Sequence, residues 1–245
     1  MVSGQGSRSR PVPLAASRPG RRGRPGYDLE SLLSVAIAVF NERGYDGTSM
    51  EDLSRRLGIS KSSIYYHVDS KEQLLELALD RALDGLFAVA DEVLAAAAIP
   101  AIERLELLVR GSVRVLAERL PCVTLLVRAR GNTATEQRAL ARRREFDKVV
   151  ADLVAQAERD GDIRPDVNPA ITARLLFGLV NSVVEWYRPE RRDAAGSDSG
   201  HAADDAELAD AVCAVAFDGL RVRRTEADVT GPSGPAGLTA RAGAR

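Results

Sequence analysis

The sequence predicts an all-α protein, and two observations support this prediction. Between residues 27 and 223, apolar residues recur at the three- and four-residue spacing of amphipathic helices, and no stretch alternates as a half-buried strand does. Glycine or proline also stands where these helices would end. The chain has 245 residues, of which 45% are apolar, so it can bury a sizeable core without disulfide or metal cross-links.

Four helices are predicted in the first part of this region. Apolar residues line one side of the first helix, and Gly44 is a typical C-terminal stop for it. Gly58 ends the second helix in the same way, and Ser60 and Ser70 are N-cap residues of the third and fourth. The predicted ranges are 28–43, 49–57, 61–67 and 71–93.

Five further helices are predicted after Pro100. Asn168 and Pro169 form an N-cap followed by a first-turn proline, and the helix that they open is apolar around most of its circumference. Such a helix has to be buried on two sides. A polar loop over 188–203 precedes the last helix. The predicted ranges are 101–119, 121–129, 135–160, 169–187 and 204–223.

The two ends of the chain have a composition typical of disordered segments, over residues 1–26 and 224–245. Residues 1–26 contain six arginines and no acidic residue, and because the whole chain carries a formal charge of −1, the remainder carries −7. A basic arm on an acidic body favours a polyanionic partner. Composition alone fits a solvated tail equally well.

Several classes of protein are not expected. The longest apolar run, residues 93–102, is interrupted by Pro100 and is shorter than the roughly 20 residues of a membrane-spanning helix. Prolines break the apolar stretch near the N-terminus, so no secretory signal is predicted. Cys122 and Cys213 lie 91 positions apart and, with two histidines in the chain, form no metal or disulfide pattern. We therefore expect a cytoplasmic protein without metal, cofactor or membrane contact.

Residues 48–67, TSMEDLSRRLGISKSSIYYH, have the spacing of a helix-turn-helix. A helix from residue 61 to residue 68 turns Ile64 and Val68 toward the second helix. The opposite side then carries small polar and aromatic side chains, namely Ser62, Ser63, Tyr66 and His67. Hydroxyl groups contact phosphates or base edges, and an aromatic edge packs against a thymine methyl group. The pattern therefore predicts a helix that enters the major groove of double-stranded DNA.

Helix N-termini add further candidate phosphate contacts. Ser49 and Ser60 stand where free backbone N–H groups and the positive end of the helix dipole suit phosphate oxygens. The alternative is that these serines only cap their helices. Lys71 opens the fourth helix, where a lysine opposes the dipole, so an anionic partner would explain its position.

Residues 27–75 resemble the DNA-binding domain of the TetR family of bacterial transcriptional regulators. The match includes FNERGYDGTSMEDLSRRLGISKSSIYYHVDSKEQLL, with its turn glycines, the Tyr-Tyr-His end of the third helix and the Ser-Lys-Glu start of the fourth. The later helices follow the order of this family over most of the remaining chain. The resemblance implies a three-helix DNA-binding domain over 27–75 and a helical effector-binding and dimerisation domain over 76–223.

The resemblance also implies which residues lie at the DNA. Those expected to contact bases are Lys61, Ser62, Ser63 and Tyr66. Those expected to contact the sugar-phosphate backbone are Ser49, Tyr65, His67 and Lys71. Tyr65 and His67 have a structural alternative, in which they pack against the first helix. The basic arm is expected to add minor-groove or phosphate contacts.

A short recognition helix specifies only a few base pairs, so we expect a homodimer on a palindromic operator. The resemblance assigns the helices at 169–187 and 204–223 to a four-helix dimer interface, and an intramolecular core is the alternative. It also implies an effector pocket among the helices of residues 78–160. The candidate lining residues, each of which can instead be plain core, are Phe87, Leu108, Leu126, Phe146, Phe177 and Trp186.

Two features indicate a class of effector. The segment Trp186-Tyr187-Arg188-Pro189 is similar to a WYRP segment in TetR-family regulators that sense acyl-CoA thioesters, including regulators of sterol-ring and phenylacetate breakdown. Arginines also cluster in the preceding region, at Arg128, Arg130, Arg138, Arg142, Arg143 and Arg144. Arginines suit the phosphates of an acyl-CoA, and Arg188 is the first candidate for such a contact. Alternatively, Arg188 pairs with Glu185 and the cluster is a solvated face.

Together these features predict a ligand-responsive repressor that an effector releases from DNA, with an acyl-CoA such as phenylacetyl-CoA as the expected effector. A drug-like or antibiotic hydrophobic effector is the alternative. An all-α enzyme is less favoured because the sequence shows no nucleophile and base, no metal spacing and no glycine-rich phosphate loop. A nonspecific nucleic-acid-binding protein is opposed by the acidic body.

Overall fold

A computed structural model describes residues 28–188 and 205–221. Over these ranges it contains nine α-helices and no strand, only a single β-bridge between Ile163 and Arg221, so the all-α prediction is confirmed. The helices are α1 (Leu29–Arg43), α2 (Met50–Leu57), α3 (Lys61–Tyr65), α4 (Lys71–Ala95), α5 (Ala101–Glu118), α6 (Leu120–Arg128), α7 (Ala134–Arg159), α8 (Pro169–Trp186) and α9 (Asp205–Asp218). The predicted basic arm, the C-terminal tail and residues 189–203 of the predicted loop lie outside the described residues.

Side-chain caps set most of the helix starts. The Oγ atoms of Ser60 and Ser70 accept hydrogen bonds from the backbone N–H groups three residues later, at 3.2 and 3.1 Å. Gly58 follows α2 with φ of +67°, a left-handed conformation that glycine adopts without steric cost and that allows the tight turn into α3. The caps therefore place α2, α3 and α4 close to their predicted starts.

Two helices end more than one residue earlier than predicted. The third was expected to reach residue 67, but α3 ends at Tyr65 because the backbone N–H of His67 turns to the carbonyl of Ile64, three residues back, at 2.9 Å. The last was expected to reach residue 223, but α9 ends at Asp218 and is followed by a turn. Both differences concern the final turn, where hydrogen bonding rather than apolar spacing decides the boundary.

Helices α1, α2 and α3 form a small head around one apolar core with the start of α4. Ile64 and Leu53 are fully buried, and Val68 and Leu57 are nearly so, as predicted from the helix-turn-helix spacing. Phe40 of α1 closes the other side of this core. Because the apolar residues of α3 pack in this core, its polar residues face solvent.

The 25-residue α4 joins the head to a body made of α5 to α9. Two glycines let α4 and α5 cross closely: a methyl group at Gly111 would overlap Val89, and one at Gly85 would lie 2.9 Å from Val115 Cγ1. None of the helices in the described residues combines the length and apolar character needed to span a membrane. Helix α4 therefore belongs to the cores of both the head and the body.

Candidate DNA-binding face and effector cavity

The outer side of α3 presents hydroxyl and aromatic groups to solvent. Ser62 and Ser63 are exposed, and their Oγ atoms lie 3.0 and 2.9 Å from that of Ser60. Tyr66 is 85% exposed, an unusually high value for a tyrosine, and Tyr65 is 50% exposed. Neither tyrosine is held in the core, so both are free to meet a partner.

His67 is half-buried and packs edge to face against Tyr66, with ring centroids 5.2 Å apart. Lys61 forms an ion pair with Glu51 of α2. The hydrogen bond and charge of Lys61 lower the pKa of Glu51 and Glu51 raises the pKa of Lys61, so both groups are charged near neutral pH.

Ser49 is a helix cap. Its Oγ accepts a hydrogen bond from the Asp52 backbone N–H at 3.2 Å and donates to Asp52 Oδ2 at 2.6 Å, while the Ser49 backbone N–H donates to the same carboxylate at 3.0 Å. Arg43 and Arg55 lie 3.8 and 3.2 Å from the other carboxylate oxygen. These contacts lower the pKa of Asp52, with the hydrogen bond from Ser49 as the largest cause. The two arginines add positive charge beside Ser49, and this charge was not predicted from the motif.

Lys71 has a structural role that the sequence did not show. Its Nζ donates to the backbone carbonyls of Tyr45 and Thr48, both at 2.8 Å, and lies 4.1 Å from the centre of the Tyr45 ring. These groups stabilise its charge within the protein. An anionic partner is therefore not needed to explain a lysine at the start of α4.

A small cavity lies inside the body between α4, α5, α6, α7 and α8. Its volume is about 30 Å³ and its wall is mostly apolar. Three of the predicted lining residues, Leu126, Phe146 and Phe177, lie on it. The other apolar lining residues, which periodicity did not single out, are Leu83, Leu86, Leu116, Val123, Val127 and Val180.

The remaining predicted lining residues lie elsewhere. Phe87 contacts the cavity only through Phe146, with ring centroids 5.8 Å apart, and Leu108 is buried in the core beside it. Trp186 is 58% exposed at the end of α8. Arg188 donates hydrogen bonds to the backbone carbonyls of Tyr187 and Glu185, at 2.8 and 3.2 Å. It therefore caps the end of α8 and does not point into the cavity, and the expected alternative, a side-chain pair with Glu185, is not formed.

Four polar residues lie on the cavity, and only Arg143 among them belongs to the predicted arginine cluster. Arg143 and Asp147 lie one turn apart on α7, Asn181 faces them from α8, and Ser112 of α5 is fully buried. Ser112 donates its hydroxyl proton to the carbonyl of Leu108 at 2.7 Å. Burial raises the pKa of Asp147, and the charges of Arg143 and Arg174 partly oppose that rise.

Two members of the arginine cluster pair with acids of α4. Arg138 lies 2.8 Å from Glu76, and Arg142 lies 2.8 Å from both Asp80 and Asp84. At the head end, Thr135 Oγ1 donates to Glu72 at 2.8 Å. We call these contacts the α4–α7 polar row. The expectation that Arg138 and Arg142 contact phosphates is wrong, because both arginines pair with acids of α4.

A second, wider cleft of about 430 Å³ lies where α1 meets α4 and the corner between α5 and α6. Its two arginines already have partners: Arg81 pairs with Glu30, and Arg119 donates to the backbone carbonyl of Arg81. Cys122 lies at its edge, and burial raises the pKa of that thiol. This cleft is open and polar, so it suits an apolar ligand less well than the enclosed cavity.

The outer face of α8 and α9 is apolar. Ile171 and Leu175 of α8 are 57% and 69% exposed, and Val215 of α9 is 71% exposed. Gly178 lies between them on the same side, with no atom within 4 Å of the position that a β-carbon would take. A stripe of large exposed apolar side chains on two neighbouring helices is typical of an interface.

The chain matches two family models. Residues 32–78 match the model described as "Bacterial regulatory proteins, tetR family", and residues 98–196 match "Tetracyclin repressor-like, C-terminal domain". The HTH-type transcriptional repressor KstR2 of Mycobacterium tuberculosis is 30% identical over 161 residues, which cover 64% of this chain and 80% of the relative.

Solved structures of similar proteins extend this match. SCO3833, a TetR-family member from Streptomyces coelicolor A3, is 51% identical with a TM-score of 0.69, over 84% of this chain and 98% of that one. AibR in complex with isovaleryl coenzyme A and operator DNA is 25% identical with a TM-score of 0.61, over 77% and 97%. This family consists of transcriptional regulators, which bind operators as dimers. The chain belongs to the TetR family and is a helix-turn-helix, DNA-binding transcriptional repressor.

Proposed function

We propose that the protein is a homodimer that represses transcription from a palindromic operator and leaves it when a small molecule enters the cavity of the body. The observation that carries this proposal is the α4–α7 polar row, which joins a helix of the cavity wall to the helix that continues into the head. Because its target is chromosomal DNA, we place the protein in the cytoplasm.

The outer side of α3 supports the assignment of base contacts to Lys61, Ser62, Ser63 and Tyr66. These side chains are exposed beside one another on a helix whose other side is fixed in the core. On binding DNA, Lys61 would either break its ion pair with Glu51 or contact the DNA and Glu51 together. For backbone contacts we propose Ser49, Tyr65, His67 and Lys71, with Ser49 and Lys71 acting mainly through the shape that they give the head.

The apolar stripe of α8 and α9 supports a dimer through these two helices. Burying an exposed apolar stripe against a second surface is favourable, and a symmetric copy of the chain supplies a matching stripe. A four-helix interface would hold two heads at a fixed separation. Repressors of this type read half-sites about 34 Å apart, one turn of DNA, so the separation decides the affinity.

The small volume of the cavity suggests how an effector acts. Pockets for drug-sized ligands measure about 300–1,000 Å³, so a ligand has to push the helices around this 30 Å³ cavity apart. Movement of α7 would pull α4 through the polar row, and α4 would carry the head with it. A hundredfold loss of operator affinity requires only about 2.7 kcal/mol of coupling.

For the effector we propose an acyl-CoA thioester. The apolar wall suits an acyl group, AibR is a relative whose structure holds isovaleryl coenzyme A, and the WYRP segment points the same way. Of the cluster arginines on α7, Arg138 and Arg142 pair with acids of α4, whereas Arg143 on the cavity and the exposed Arg144 beside it make no ion pair with the described residues of α4. Arg144 replaces Arg188, Arg138 and Arg142 as the candidate phosphate contact.

The DNA-binding half of this proposal is tested by fluorescence anisotropy with a labelled duplex from the upstream region of the protein's own gene. Ser63→Ala and Tyr66→Ala are each expected to weaken specific binding by about 1–3 kcal/mol while leaving binding to a scrambled duplex unchanged. Lys148→Ala, an exposed change on α7, is the control. Equal affinity of the wild type for operator and scrambled duplexes would contradict a specific repressor.

A further inference from the structure

Three polar side chains on the cavity wall make no hydrogen bond, and no ion pair within 4 Å, in the described part of the chain. They are Arg143, Asp147 and Asn181, and all three are partly buried. The charges of Arg143 and Arg174 act on Asp147 without a hydrogen bond or ion pair to it. Polar groups that lose part of their hydration in a folded protein are usually compensated by a hydrogen bond. Three open hydrogen-bonding groups on one apolar cavity therefore indicate a ligand that completes them.

The chemistry of the three groups restricts that ligand. The Asp147 carboxylate accepts hydrogen bonds, whereas the Asn181 amide and the Arg143 guanidinium donate them. A ligand that satisfies all three has a donor and an acceptor close together, next to an apolar portion that fills the space around Phe146 and Phe177. A free carboxylate offers no donor and is repelled by Asp147. A secondary amide offers one N–H and one carbonyl oxygen, which is the required combination.

We propose that Asp147, Asn181 and Arg143 bind the first amide of the pantetheine arm of the acyl-CoA. This inference rests on the acyl-CoA effector proposed above and adds the part of the molecule that is recognised. Asp147 accepts the amide N–H, and Asn181 and Arg143 donate to the amide and thioester carbonyl oxygens. The acyl group occupies the apolar part of the cavity, and the phosphates lie toward solvent.

The test compares two thioesters of the same acid that both lack phosphate. S-phenylacetyl-N-acetylcysteamine keeps the thioester and the first amide of the arm, whereas the S-ethyl thioester of phenylacetic acid has no amide. Isovaleryl versions of the two compounds form a second pair. Their affinity for the full-length wild-type protein is measured by isothermal titration calorimetry, with phenylacetyl-CoA and isovaleryl-CoA as references.

The amide-containing thioester is expected to bind at least about tenfold more tightly than the ethyl thioester, as a hydrogen bond to a charged group provides. Asp147→Leu should remove this preference, and Asn181→Leu should reduce it. Asp147→Asn should keep part of it, since its amide oxygen still accepts. Glu145→Gln removes a charge from the exposed side of the same helix and should keep all of it. Circular dichroism confirms that each variant is folded.

The outcomes separate this inference from the effector proposal. Equal binding of the two thioesters by the wild type, or a preference that survives in Asp147→Leu, overturns the amide site. If the CoA thioesters bind and both N-acetylcysteamine thioesters do not, the phosphates supply the affinity, so the amide site is wrong and the acyl-CoA effector stands. If no thioester of any kind binds, the effector proposal fails and the amide site fails with it.

Discussion

Arg142 on α7 pairs with two carboxylates of α4 at once. Its Nη1 lies 2.8 Å from Asp80 Oδ1, and its Nη2 lies 2.8 Å from Asp84 Oδ1. One turn further along α7 are Phe146 and Asp147 on the cavity wall. The head lies at the other end of the same α4. In the mechanism that we propose, Arg142 is therefore the residue through which a change at the cavity reaches the helix that orients the head.

Arg142→Ala is expected to weaken the response to effector more than it weakens the fold. The two ion pairs are partly exposed, and such pairs contribute at most about 1 kcal/mol each to stability. The coupling between phenylacetyl-CoA and operator should fall by about 0.5–2 kcal/mol. It is measured as the ratio of operator Kd values with and without the thioester. Lys148→Ala, an exposed change on the same helix, is the control; an unchanged ratio in Arg142→Ala would remove the polar row from the mechanism.

Substitutions of Ser49 separate capping from DNA contact. Ser49→Ala should destabilise the protein by about 1 kcal/mol because it removes the cap of α2. Ser49→Asp keeps a capping oxygen but places a negative charge beside Asp52 and the phosphates, so it should lose some stability and bind DNA more weakly than Ser49→Ala does. Ser49→Asn should retain both properties. Thermal unfolding and operator anisotropy are measured for all three, and normal DNA binding by Ser49→Asp would show that Ser49 is only a cap.

Leu175→Glu should convert the dimer into a monomer without unfolding it. Leu175 is 69% exposed within one chain, so a charge there does not disturb the chain's own core. In the proposed dimer the same charge would be buried without a partner, which is strongly unfavourable. Light scattering coupled to size exclusion reports the mass. Leu107→Glu changes a leucine of α5 that is 44% exposed and should leave the dimer intact; a dimeric Leu175→Glu would place the interface elsewhere.

Two glycine-to-alanine changes should have opposite effects on stability. At Gly111 the new methyl group overlaps Val89, so the free energy of unfolding should fall by about 1–3 kcal/mol. At Gly178 the position is open, and alanine should raise the stability of the monomer by up to about 1 kcal/mol through its better helix propensity. Chemical denaturation in the Leu175→Glu background avoids contributions from the dimer. A stabilised Gly111→Ala would mean that α4 and α5 do not cross so closely.

Asp147→Asn should stabilise the protein more at neutral pH than at acidic pH. Burial raises the pKa of Asp147 above 3.8, with Arg143 and Arg174 acting in the opposite direction. A carboxyl with a raised pKa in the folded state favours folding below its unfolded pKa, and this contribution is lost as the pH rises through the folded value. Asparagine carries no charge to desolvate. The difference in melting temperature between variant and wild type should therefore grow from about pH 4 to about pH 7, and a difference that shrinks over this range would show that Asp147 has a partner when ionised.

The sequence predicted the local structure well because local signals determine it. Ser60, Ser70 and Asn168 act as caps, and the apolar spacing placed Ile64 inside the head. These features depend on residues within four or five positions of one another. They were sufficient to identify the face of α3 that the head presents.

The cavity proposed to hold the effector was less predictable because it depends on how distant helices cross. Leu126, Phe146 and Phe177 were found, but the exposure of Trp186 and the capping role of Arg188 follow from where α8 ends. The acids that pair with the arginine cluster lie about 60 residues earlier in the chain. Polar residues such as Asp147 were missed because helical spacing marks apolar lining only.

Repression that an acyl-CoA relieves can be measured by titrating the labelled upstream duplex with the protein and then adding thioesters. We predict a specific dimeric complex that phenylacetyl-CoA or isovaleryl-CoA dissociates, while free CoA and the free acid do not. A specific complex that no thioester alters would contradict the proposed effector.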